Sequence, residues 1–349
     1  MAGHARRAEG ELKIGDRWPK DWPLQLISSP RWSEQRPTYG EAKPAIIEAA
    51  LRRSQRRPTG NWYVLGANRE IRADRPFGTT IGGIEVVAWR DRQGHLRVGP
   101  RSCPHLGADL ATGVVDDGSL ICRWHGLPLT GKTCEFGWAP LPSHDDGVLA
   151  WVRLDELGGE DPLTVPVVPT RPAGETLHAV TRLVGVCEPS DIIANRLDPW
   201  HGNWFHPYSF TRLEVLSTPT EEDDRFLLSV TFRLGRLGVP VVAEFTCPSA
   251  RTIVMRIVDG EGAGSIVETH ATPLGPGTDG RPRTAVVEAV VAQSDRAGFR
   301  HARRAAALIT PLMRHAANRL WRDDLVYAER RYQIRHHQRD HRRTTGQGP

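Results

Sequence analysis

No stretch of the 349 residues is apolar for the roughly 18–20 positions that a bilayer-crossing helix needs. Nor does an apolar segment follow Arg6 and Arg7, so the sequence predicts no signal peptide and a cytoplasmic chain. Cysteine is scarce and odd in number: Cys103, Cys122, Cys134, Cys187 and Cys247. That count argues against a disulfide framework. Lysine is nearly missing, since only Lys13, Lys20, Lys43 and Lys132 stand among 46 basic residues. There is no internal repeat. Gly260-Glu261-Gly262-Ala263-Gly264 is not a dinucleotide fingerprint, because Ser265 holds the last position. No flavin or nicotinamide site is therefore expected.

What is present is the composition of a globular chain. Hydrophobic residues at 39% and charged residues at 25% exclude a wholly disordered protein. The length allows two domains with tails. The net charge of +5 is uneven: residues 1–60 carry +5, residues 295–349 carry +8, and the centre carries −8. An acidic centre argues against a nucleic-acid groove. It leaves room for a basic tail.

Residues 1–60 read as a basic arm. Its first 43 residues show no period, and Pro44 opens a short helix that ends in Arg52, Arg53, Arg56 and Arg57. Residues 61–160 read as a small, mostly β domain, with a strand at 84–90 and a hairpin around Asp116-Asp117-Gly118. A Pro-punctuated linker runs from Pro162 to Pro172. Strands are expected near 177–186, 212–219, 225–234, 239–247, 250–258, 264–273 and 283–292, with a helical stretch at 189–202 and a closing helix at about 295–330. Antiparallel strands gripping a long C-terminal helix form an α+β domain over 161–333. Residues 334–349 are expected to be a disordered basic tail: a solvated extension, a docking site for an acidic ferredoxin, or a weak membrane contact.

Two constellations carry chemistry. Cys103-Pro104-His105 and Cys122-Arg123-Trp124-His125 each offer one thiolate and one imidazole on a turn-like loop. Such a set suits zinc or an Fe–S cluster. Zinc fingers, however, group their Cys and His rather than alternating them. Cys134, Cys187 and Cys247 read as small packed side chains. Further on, Asp198, His201 and His206 stand in an Asp-x2-His-x4-His pattern within Asn195-Arg196-Leu197-Asp198-Pro199-Trp200-His201-Gly202-Asn203-Trp204-Phe205-His206-Pro207. Gly202 can break the helix and let His206 swing towards His201. Two His are either a satisfied pair or, with a carboxylate, the facial triad of a non-haem Fe(II) oxygenase.

The first constellation resembles the Rieske family, whose [2Fe–2S] centre has two Cys on one iron and two His on the other. Asn61-Trp62-Tyr63, Cys103-Pro104-His105-Leu106-Gly107-Ala108, Asp117-Gly118-Ser119-Leu120-Ile121-Cys122 and Trp124-His125-Gly126 carry the resemblance. Many Rieske oxygenases have Arg where Leu106 stands. With the second motif, the chain resembles the Rieske non-haem iron oxygenases. The resemblance implies a mostly-β Rieske domain followed by an antiparallel-sheet helix-grip (START-like) catalytic domain. It implies Cys103, His105, Cys122 and His125 as cluster ligands and His201 and His206 as ligands of mononuclear Fe(II). Asp198 would link a metal-site His to a cluster His of the adjacent subunit, with Asn195 supporting the same face.

Helical periodicity selects the third ligand. Ile309, Met313, Ala317, Leu320, Asp324 and Tyr327 share one stripe, whereas Asp323 can pair with Arg319 on the outer face. A carboxylate on an inward stripe needs a partner, and a metal is a good one. Asp324 is the expected ligand, with Asp323 as the alternative.

The implied function is that of an oxygenase component, hydroxylating, demethylating or desaturating an apolar substrate with O2. A ferredoxin and/or an NAD(P)H-dependent reductase would supply electrons, and the subunits would form a homotrimer. Trp200, Trp204 and Phe205 either line the cavity or pack in the core. Resemblance of the N-terminal and Rieske segments to actinobacterial proteins found among carotenoid genes implies a terpenoid or carotenoid-like substrate. The rival is a non-catalytic Rieske carrier fused to a lipid-binding domain.

Overall fold

The computed structural model describes residues 24–28 and 32–344. The start of the basic arm and the last five residues lie outside the described residues. The arm contributes a two-residue strand β1 (Gln25–Leu26) and the helix α1 (Pro44–Ser54). Pro44 sits at the first turn of α1, where its missing N–H costs nothing. Ile47, Ala50 and Leu51 bury the helix against the second domain.

The first domain is built from nine short strands: β2 (Trp62–Ala67), β3 (Phe77–Ile81), β4 (Ile84–Arg90), β5 (Leu96–Pro100), β6 (Val114–Asp116), β7 (Ser119–Ile121), β8 (Pro128–Leu129), β9 (Ser143–Asp145) and β10 (Leu149–Arg153). The one-turn helix α2 (Asp155–Gly158) closes it. The strands pair as three small sheets, β2-β10-β9, β3-β4-β5 and β6-β7-β8. The last of these carries the Cys122–His125 loop between β7 and β8, beside the Cys103–His105 loop that follows β5, over a core that includes Trp89, Leu110, Leu120 and Trp138.

The second domain begins with β11 (Leu177–Gly185), α3 (Pro189–Arg196) and α4 (Gly202–Phe205). A meander follows: β12 (Phe210–Ser217), β13 (Phe226–Leu234), β14 (Leu237–Ser249), β15 (Thr252–Gly260), β16 (Ile266–Pro276) and β17 (Pro282–Ala292). Helices α5 (Phe299–Arg304) and α6 (Ala306–Thr344) end it. The strand order is β11-β17-β16-β15-β14-β13-β12, antiparallel throughout, with β1 added beside β14. The first strand of the domain thus pairs with the last, from Leu177↔Ala292 to Gly185↔Thr284.

Both faces of this sheet are covered. Val286 faces α3 and α6, with Ile192, Ile193, Trp321 and Ala328. Val287 and Ala289 face the first domain, with Trp62, Val64 and Trp151. Successive residues of a strand point to opposite faces, so β17 is buried nearly end to end and reads as an almost continuous apolar run. Its inward Glu288 is the exception. On the outer face, Arg171 in the linker pairs with Asp146 of the first domain and Glu268 of β16 and joins the two.

The α+β architecture is the expected one, but the tail is not. Helix α6 does not stop near residue 333; it runs to Thr344. Tyr332 is in the core, and Arg331 and Arg335 both pair with Asp191, which is fully buried at the start of α3. A run rich in Arg also favours helix once one end is anchored.

Candidate metal centres

The two loops of the first constellation are built alike. In each, the Cys N–H donates to the carbonyl five residues on, Ala108 or Leu127. In each, the Cys carbonyl accepts from a glycine N–H four residues on, Gly107 or Gly126. Those glycines have φ of +76° and +74°, a region open to glycine at little cost. The matched turns bring the two Cys together inside and the two His together outside. Cys103 Sγ lies within hydrogen-bond reach of Cys122 and of the backbone N–H groups of His105 and Leu106. Both thiols are buried. The His105 and His125 rings lie edge to face, 4.8 Å between centroids, and are exposed. Two inner sulfurs and two outer imidazoles fit a [2Fe–2S] cluster with Cys on one iron and His on the other. Leu106, Trp124 and Phe136 form an apolar collar at this tip, 62%, 61% and 48% exposed. Cys134 is half-buried, and Cys187 and Cys247 are packed in the core.

The second constellation assembles around Asp324, which is 1% exposed on the inward stripe of α6. Its Oδ1 lies 3.1 Å from His201 Nε2 and 2.8 Å from His206 Nε2, and accepts from Asn195 Nδ2 at 3.1 Å. The three candidate ligand atoms lie within 4.8 Å of one another. The chain breaks that allow this are at Asp198 and His206. Pro199 disfavours a helical conformation at Asp198, whose φ is −110°. Gly202, expected as the breaker, is itself helical and opens α4. A Cβ there would sit 3.2 Å from Leu213, so Gly202 serves packing.

The surroundings of the two rings decide which nitrogens face Asp324. His201 Nδ1 lies against the Asp198 carbonyl oxygen, which can only accept, so Nδ1 carries the proton. Tyr208 spends its hydroxyl proton on Asp323, so its oxygen accepts from His206 Nδ1 at 3.3 Å. With neutral rings, both Nε2 lone pairs then point at a carboxylate. Three converging lone-pair donors repel one another unless a cation lies between them. This is the donor set, and the donor orientation, of a non-haem iron site. When the rings are instead doubly protonated, burial still raises the Asp324 carboxyl, but hydrogen bonds and charge from His201 and His206 outweigh it and hold the group well below the usual carboxylate range.

Asp198 is buried, and burial pushes its carboxyl up. Its Oδ2 accepts from the Tyr327 hydroxyl at 3.2 Å, and its Oδ1 has no partner among the described residues. Asn195 Oδ1 is likewise without one. Asp323 does not pair with Arg319. It accepts from Tyr208, while Arg319 lies over the Tyr208 ring, 3.6 Å from its centroid. Tyr208 went unassigned in the sequence; its place two residues after His206 was the available signal.

A cavity of about 50 Å³ opens beside the site, lined by Asp198, His201 and His206 and by apolar side chains of the meander, among them Phe210, Leu228, Val230, Phe232, Phe245 and Met255. The flanking aromatics do not line it. Trp200 is in the core, Trp204 packs on Trp32 of the arm, and Phe205 is 39% exposed. Arg196 completes the wall.

Fold and centres together define a Rieske [2Fe–2S] protein with a second, non-haem iron type of site. Residues 61–154 match the Rieske [2Fe-2S] domain. Residues 157–339 match the family described as Domain of unknown function (DUF5914), and the chain belongs to that family. Its relatives include the vanillate O-demethylase oxygenase subunit of Pseudomonas sp. (strain HR199 / DSM 7063), 42% identical over 78 residues that make up 22% of each chain. The dicamba O-demethylase oxygenase component of Stenotrophomonas maltophilia is 24% identical over 42% of this chain and 46% of its own. The sequence matches thus span less than half of either curated relative. The fold extends further: a crystal structure of dicamba monooxygenase bound to dicamba superposes with a TM-score of 0.61 at 17% identity, covering 84% of this chain and 92% of that one. Among the described residues, no helix is long and apolar enough to cross a membrane.

Proposed function

We propose that this chain is the oxygenase component of a multicomponent Rieske non-haem iron oxygenase, acting with O2 on a small apolar substrate by hydroxylation, demethylation or desaturation. The observation that carries this reading is the convergence of His201 Nε2, His206 Nε2 and an Asp324 oxygen at the mouth of an apolar cavity. Cys103, His105, Cys122 and His125 would hold the cluster, and the three converging residues would hold Fe(II). Bound there, Fe(II) supplies open coordination positions for O2, and the cluster supplies electrons one at a time.

The residues around the site do the rest. The Asp198 carbonyl and the Tyr208–Asp323 pair fix the ring orientations. Asn195 steadies Asp324. The apolar strand residues exclude water from the reacting face. Electrons come from a ferredoxin and/or an NAD(P)H-dependent reductase.

The subunits form a homotrimer in which the His105/His125 tip of one protomer docks near Asp198 of its neighbour. The exposed collar and the partnerless Asp198 Oδ1 support that arrangement. Five free thiols suit the cytoplasm.

Dye-coupled O2 uptake in iron-loaded protein tests the reading. Uptake stimulated by lipophilic substrates, and lost in His206→Ala, supports it. Cluster-loaded wild-type protein that stays inactive with added iron refutes it.

A further inference from the structure

Arg196 is an unusual residue for the wall of an apolar cavity. It ends α3, two residues before Asp198, and its guanidinium is largely buried. Nη2 is paired with Glu288 and Nε donates to Thr269 Oγ1 at 3.3 Å. The plane lies over the Trp321 ring, 5.0 Å from its centroid. Glu288 also accepts from Trp321 Nε1 at 2.7 Å and from Thr269 Oγ1 at 3.2 Å. The head group is therefore held on several sides. Its remaining nitrogen, Nη1, has no hydrogen-bond partner among the described residues.

Placing an ion pair in such a wall costs more than an apolar pair would, which calls for a return. Other polar side chains lining the cavity belong to the metal site: Asp198, His201 and His206.

From these contacts we infer that Arg196 is a specificity-determining residue. The cavity takes an apolar molecule that carries one neutral acceptor oxygen, a carbonyl, ether or hydroxyl, bound by Arg196 Nη1. Glu288 cancels the arginine charge, and Asp198 and Asp324 lie close by, so a carboxylate is disfavoured. This inference rests on reading the cavity as the substrate site, and it deepens that reading. Anchoring the oxygen at Arg196 lays the apolar body across the opening towards His201 and His206.

The test is equilibrium binding by ligand-observed NMR to the full chain, with three probes of one size: acetophenone, ethylbenzene and benzoate. A hydrogen bond to a charged donor predicts that acetophenone binds about tenfold or more tighter than ethylbenzene, with benzoate no better than ethylbenzene. Arg196→Lys keeps a partner for Glu288 but loses the fork, and should abolish the preference. The pair Arg196→Met with Glu288→Met removes both charges without orphaning either. It should equalise acetophenone and ethylbenzene while leaving ethylbenzene affinity within about threefold. Equal binding of the two neutral probes to wild type overturns the inference, as does a preference that survives in both variants. Tightest binding of benzoate overturns it in favour of an anion site. Binding of none of the probes overturns it too, while iron loading at His201, His206 and Asp324 in the same protein still decides the oxygenase reading separately.

Discussion

Tyr208 and Asp323 decide which nitrogen of His206 is available to a metal, and they do so from outside the ligand set. A hydroxyl that has given its proton to Asp323 can only accept from the ring. Tyr208→Phe removes that acceptor and frees the tautomer. Loss of such a supporting contact costs about 10–100-fold in metal affinity, so iron competition against a chelator should show a weakening of that size, with the cluster spectrum unchanged. Asn195→Leu should act in the same direction, because it strips a donor from Asp324. Unaltered iron affinity in both variants would remove the supporting role. At this scale the sequence singled out the three residues that converge, His201, His206 and Asp324, and missed groups that orient them. Asp324 stood out because a carboxylate on an apolar helical stripe demands a partner. Tyr208 and Arg196 did not, because their partners, Asp323 and Glu288, lie 115 and 92 residues away.

Helix α6 carries Asp324, the proposed metal ligand, and its length beyond that residue is a matter of anchoring. Arg331 and Arg335 converge on Asp191, whose side chain is sealed from solvent. Their removal leaves a buried carboxylate whose remaining partner among the described residues is the backbone N–H of Glu188. Breaking a buried pair costs about 3–5 kcal/mol. Arg331→Met with Arg335→Met should therefore lower the unfolding free energy by that order in urea denaturation, and a change under about 1 kcal/mol would contradict the anchoring. Composition alone made this segment look like a solvated tail, since the nine Arg and His residues from Arg330 to Arg343 say nothing of where the compensating acid sits. The strands were more legible. Their alternation and turns set β11 to β17 within a few residues of the expected positions, because local chemistry decides where a strand begins and ends.

The whole molecule is a sheet held between the Rieske domain and the helix that carries Asp324, and the two halves are joined through Arg171. Burial pushes the Asp146 and Glu268 carboxyls up, but their hydrogen bonds, with Arg171 the largest contributor, bring both below their ordinary values of 3.8 and 4.5. A folded-state value below the unfolded one gives stability that is complete above the ordinary value and lost as pH falls through the depressed one. Thermal unfolding should thus become easier as pH drops below about 4.5, and the slope should flatten in Glu268→Gln. An equal slope in the two proteins would contradict the sign. The Rieske domain was readable from its two Cys/His loops and their resemblance to the family, and the Asp-x2-His-x4-His motif was read beside it through the same resemblance. The apolar collar and the cavity were not, because each is assembled from loops or strands far apart in the chain. The central claim is that one chain holds two different iron centres. Iron and labile-sulfide quantification on the full chain tests it most directly. Two centres of these types give about three irons and two sulfides per chain, falling to about two irons with sulfide unchanged in His206→Ala with Asp324→Ala. Two irons per two sulfides in the wild type under iron-replete conditions, with no further loss in the variant, would contradict it.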